Sequence, residues 1–72
     1  MDNIIKPKTN YIMNELIKDW NMLREILDDA QNDFDKFTSG NASAGTRVRK
    51  TMQDMKALAQ AIRLNVQDIK NS

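Results

Sequence analysis

The sequence predicts an all-α protein: an antiparallel, coiled-coil-like helical hairpin that pairs with a second copy into a four-helix bundle. Three observations predict it. Apolar residues recur in heptad rhythm along two stretches of similar length. A Gly- and Ser-containing break separates those stretches. Finally, 72 residues with no Cys leave regular helix packing or oligomerisation as the routes to a stable fold.

Met1 to Lys8 reads as part of a flexible arm, taken as residues 1–9. Pro7 ends any local structure there, and Thr9 or Asn10 can cap the helix that follows. Met13, Leu16, Trp20, Leu23, Leu27, Ala30, Phe34 and Phe37 then alternate at spacings of three and four. This is an a/d seam with no slip and no Gly or Pro inside it. It predicts a first helix over about 10–38, roughly 40 Å long. A turn is expected at about 39–42, with Gly40 suited to the left-handed position that closes a helix. Asn41 or Ser43 can cap the next helix. The seam resumes at Val48, Met52, Met55, Ala59, Ile62, Val66 and Ile69, which predicts a second helix over about 42–70. Residues 10–72 thus form one domain, and two near-equal helices joined by a short turn make an αα-hairpin.

Heptad letters extend the argument. With Met13 at a, the first helix carries Ile12, Asp19, Ile26 and Asp33 at g, and Ile17, Arg24 and Gln31 at e. With Val48 at d, the second carries Thr51, Leu58 and Asn65 at g; its e positions, Arg49, Lys56, Arg63 and Lys70, are all basic. Antiparallel packing on a/d sets g beside g and e beside e. One edge is then partly apolar (Ile12, Ile26, Leu58) and the other basic. Two lone helices leave Trp20, Phe34 and Phe37 partly wet, so a homodimer is expected through Ile12, Trp20, Ile26 and Leu58. Trp20, Met52 and Met55 read as core; Met22 and Leu64 fall off the seam as surface strays.

The net charge of +1 conceals a dipolar distribution. Residues 1–37 hold five basic and eight acidic side chains, a balance of −3; residues 38–72 hold six and two, a balance of +4. Asp28, Asp29, Asp33 and Asp35 crowd the end of the first helix, and Arg47, Arg49 and Lys50 the start of the second. Both clusters oppose their own helix dipoles. Either they neutralise one another across the turn, or the start of the second helix is kept positive to hold an anion.

Much chemistry is excluded. The chain has no Cys and no His, which removes disulfides, thiol catalysis, His general bases and Cys/His zinc sites. The remaining candidates, the Asp28–Asp29 and Asp33/Asp35 pairs, diverge around a helix and make a poor metal site. No catalytic residue, metal or cofactor is expected, and a thin hairpin offers no pocket for a small-molecule substrate. Apolar runs are too short for a membrane span or a signal peptide, which points to an intracellular protein.

The segment Gly40-Asn41-Ala42-Ser43-Ala44-Gly45-Thr46-Arg47-Val48-Arg49-Lys50, followed by Arg63 late in the helix, resembles the core of the bacterial linker-histone-like nucleoid proteins of chlamydial type. The resemblance covers about residues 40–63 and lacks the Lys/Ala-rich tail that many members carry. In those members a Lys commonly follows the Gly-Asn pair, where this chain has Ala42. The likeness implies a DNA-binding, chromosome-organising protein without sequence preference, in the cytoplasm and on the nucleoid, or in a virion or host chromatin if the source is viral. It implies Arg47, Arg49 and Lys50 as phosphate ligands, with Asn41 and Thr46 shaping the turn. The basic row through Lys56 and Arg63 would extend the contact along double-stranded DNA. The alternative is a dimeric helical interaction module whose basic edge is an ordinary solvated flank.

Overall fold

A computed structural model describes residues 7–71. Two helices, α1 (Pro7–Thr38) and α2 (Ala42–Lys70), pack against each other as a hairpin. Its dimensions are 59 × 15 × 12 Å and its radius of gyration 16.7 Å, against about 11 Å for a compact chain of this length.

The helix α1 begins at Pro7, three residues before the start expected from capping. Pro fits the first helical position because its missing N–H would have no intrahelical partner there, and its ring presets φ. The rest of the expected arm, residues 1–6, lies outside the described residues. At the other end Gly40 takes φ +107°, Gly40 N donates to Phe37 O at 3.0 Å and Asn41 N to Lys36 O at 2.9 Å. That pair of bonds is a Schellman closure. The turn therefore spans only residues 39–41. Asn41 caps α2, its Oδ1 accepting from Ala44 N at 3.2 Å and from Ser43 Oγ at 2.8 Å.

The helices do not meet along the a/d seams. The partly or fully covered row of α1 runs Ile12, Leu16, Asp19, Leu23, Ile26, Ala30, Asp33, and that of α2 runs Ala44, Val48, Thr51, Met55, Leu58, Ile62, Asn65, Ile69. Both are d/g rows. Ile12, Ile26 and Leu58, expected at a dimer edge, thus lie in the seam between the two helices of one chain, with Ile12 only 9% exposed. Large side chains at a are turned out. Trp20, expected in the core, is 56% exposed, with Leu27 at 52%, Phe34 at 51% and Met52 at 44%. The physical reason is stripe width. Apolar residues at a, d and part of g cover more than one neighbouring helix can bury. In the d/g seam Ala30 and Ala44 are buried, the latter fully.

The hairpin therefore has two unlike faces. One is apolar: Leu27, Phe34, Val48 and Met52 line one groove of it, and Leu16, Ile17, Trp20, Ile62 and Val66 another. The opposite face carries the c and g positions, where Asp19 and Asp54 flank Met22, Ile26 and Leu58. It is predominantly acidic, with Glu15, Asp29, Asp33 and Asp68 at the same heptad positions. The e positions consequently do not adjoin. Arg24 lies on the outer rim of α1, and Arg49, Lys56, Arg63 and Lys70 on the outer rim of α2.

Candidate nucleic-acid interface

The tip of the hairpin is built by a close approach. A Cβ on Gly45 would stand 2.7 Å from both Cδ1 and Cε1 of Phe37. The Phe37 ring thus lies against bare backbone in the first turn of α2. Ala44, fully buried, and Gly45 are the residues of this turn that close against α1, while Ala42 and Ser43 are exposed. Thr46 and Arg47, next in the chain, are exposed, and Val48 returns to the covered row.

Arg47 and Arg49 are two residues apart, which on a helix is about 200°. They leave α2 in nearly opposite directions. Arg47 turns to the acidic face, where its Nε donates to Asp33 Oδ1 at 2.9 Å. Its side chain remains 50% exposed and that of Asp33 23%. One of the five guanidinium N–H donors is engaged, and an exposed pair of this kind contributes about 0–1 kcal/mol. Arg49 turns toward the apolar face, where it lines a groove with Phe37, Ala42, Gly45, Thr46 and Val48. It has no ion-pair or hydrogen-bond partner among the described residues. Lys50 points outward between the two, with a loose 3.8 Å contact to Asp54. The three cations fan around the tip and do not converge on one point.

Farther along α2, Lys56 and Arg63 are exposed. Arg63 Nη1 donates to Gln60 Oε1 at 2.8 Å, which orients it without neutralising it. Arg49, Lys56, Arg63 and Lys70 recur every seven residues, or about every 10 Å along the helix. Thr46 is exposed beside Arg49. Asn41 is committed to the cap, so its side-chain acceptor is used inside the turn. Among the described residues, mutual neutralisation across the turn is confined to Arg47 and Asp33; Asp35 instead accepts from Gln31 Nε2 at 2.9 Å. Sequence reasoning did not single out the Phe37–Gly45 contact or the Arg47–Asp33 pair. The signal for the first was the run of four small residues; for the second, facing positions equidistant from the turn.

The decisive observation is a family match. Residues 15–72 match the model of a family described as histone H1-like protein Hc1. The chain belongs to that family. The match reaches well beyond the Gly-Asn segment and takes in most of α1. No curated protein and no solved structure matches the chain. The histone H1-like Hc1 family is a histone-like, DNA-binding one and not an enzyme family. No helix among the described residues is long and apolar enough to cross a membrane. In this Hc1-family chain the cations of the tip and of the α2 rim are exposed.

Proposed function

We propose that the chain is an architectural protein that binds double-stranded DNA in the nucleoid through phosphates, without reading sequence, and acts as a homodimer. The family match carries this reading. Exposed cations at the start of α2 support it: Arg49 without a partner among the described residues, Arg47 held by one nitrogen and Lys50 loosely held. Lys56 and Arg63 continue the contact along the rim. Such contacts position a protein on a duplex and carry no base information. Pairing of two copies covers the exposed apolar face and completes a four-helix bundle. A protein-interaction module would leave the histone-like match without a role.

Fluorescence anisotropy with duplex DNA over a salt series tests the reading. Three tip cations per chain give a log–log slope of roughly −3, and about −5 for a dimer with both tips engaged. The Arg47→Ala, Arg49→Ala, Lys50→Ala variant should lose most of that slope at unchanged helicity. Binding that survives in the triple variant with the slope intact removes these residues from the interface.

A further inference from the structure

The apolar face of the hairpin admits a second copy in two orientations, with the turns at the same end or at opposite ends. We infer that the two hairpins pair face to face with both turns at the same end, α1 of each copy lying over α2 of the other. This rests on the dimeric reading above and decides the arrangement within it. Side-chain volume and charge, two independent features, point the same way.

Volume is the first. The a positions of α1 are Met13, Trp20, Leu27 and Phe34; those of α2 are Gly45, Met52, Ala59 and Val66. One helix presents large side chains to the shared face and the other mostly small ones. Facing residues in the hairpin have numbers summing to about 80, as Asp33 with Arg47. With turns at the same end this level is kept between copies. Trp20 then meets Ala59 of the other copy, and Phe34 meets the segment of Gly45 and Val48. Large opposes small in three of the four a layers, and Leu27 meets the flexible Met52 in the fourth, which fills a bundle more evenly than stacking like on like. With turns at opposite ends, α1 lies on α1, so Trp20 falls near Leu27 of the other copy. The α2 pair is left facing itself, Ala59 near Met52 and Val66 near Gly45 of the other copy. Two helices are forced apart while two others are under-filled.

Charge is the second. Residue 56 is the midpoint of α2 (Ala42–Lys70). Full overlap with turns at opposite ends therefore sets Lys56 on Lys56 of the other copy, and Arg49 on Arg63 in both directions. The neighbouring b positions, Thr46, Gln53, Gln60 and Gln67, carry no carboxylate to relieve this. With turns at the same end, the α2 rim of one copy meets the α1 rim of the other, which holds Asp28 and Asp35. One like-charge meeting remains, Lys56 with Arg24, and Asp28 stands one helical turn from it. Like charges placed opposite one another disfavour an orientation, so the charge pattern selects the same one as the volumes. The consequence is a bundle with both basic tips at one end, presenting a single doubled cation patch to a duplex. It does not place one tip at each end to bridge two duplexes.

The absence of native Cys makes the test direct. Ser39, exposed in the turn, is changed to Cys and nitroxide-labelled, and pulsed EPR reads the distance between copies in the absence of DNA. Turns at the same end put the labels about 15–30 Å apart, two helix spacings plus linkers. Turns at opposite ends put them about 45 Å apart, the length of α2. A Gln67→Cys label at the far end should give the same short distance, and a mixture of Ser39→Cys and Gln67→Cys chains a long one. The reverse pattern overturns the inference while leaving the dimer standing. Sedimentation of the same samples as monomer at micromolar concentration overturns both. The salt-dependent binding measured separately reports on the DNA reading alone.

Discussion

Gly45 is the residue on which the tip depends, because Phe37 occupies the space a side chain would need. Ala is the better helix former by about 1 kcal/mol, yet Gly45→Ala should lower the melting temperature, since the new methyl displaces the ring. In a Phe37→Ala background the same change should be neutral or stabilising. A double-mutant cycle by thermal melting reads this coupling. Gly40 differs in kind. Nothing lies within 4 Å of its position, but its φ is +107°. Gly40→Ala should cost about 1 kcal/mol through backbone strain alone, or about 4–8 °C in a domain of this size. Asn41→Ala removes the oxygen that receives Ala44 N and Ser43 Oγ, and should cost about 1 kcal/mol. It should leave the salt slope of DNA binding unchanged, because the side chain is spent on the cap. The break at residues 39–41 and the left-handed glycine were legible in the sequence. The ring against Gly45 was not, because it depends on the distance between two helices.

Between the elements, the contact that bears on the proposed function is Arg47 with Asp33. It joins the start of α2 to the end of α1 at 2.9 Å, but its exposure limits its worth. Asp33→Asn should change the melting temperature little. It should tighten DNA binding by about two- to five-fold, the range set by an exposed pair of up to ~1 kcal/mol, because it frees Arg47 and removes a carboxylate from the tip. An anisotropy titration at low salt measures this; weaker binding would mean that Asp33 orients Arg47 productively. The heptad spacing made both helices and their antiparallel sense readable. It did not tell which adjacent rows would close. A stripe of a, d and g residues can pack on a/d or on d/g. The helices close on d/g, with Ala30 and Ala44 buried in the seam and Trp20, Leu27 and Phe34 turned outward.

At the scale of the whole molecule, the hairpin is long, thin and incompletely covered. An apolar face bearing Trp20, Leu27, Phe34 and Met52, each between 44% and 56% exposed, is larger than the scattered apolar residues of an ordinary surface. If a second copy covers it, thermal stability depends on protein concentration. Melting curves over a hundred-fold concentration range should show that dependence in the native chain. Leu27→Lys should abolish it, leaving a less stable helical monomer; a concentration-independent native chain would count against pairing. The separation of charge was likewise half visible. That the second half of the chain is basic and the end of the first helix acidic follows from counting residues. That the cations split between two faces at the tip, and that the α2 e row borders the apolar face, followed only once the seam was known.

The sequence by itself determined the two rods, the turn between them and the basic start of the second, because helical periodicity, glycine geometry and charge are local properties of a chain. The tertiary structure alone decided which row of each rod is covered, where each arginine points and which apolar face is left exposed. Those depend on how closely two helices approach, and that distance is set by side chains far apart in the chain.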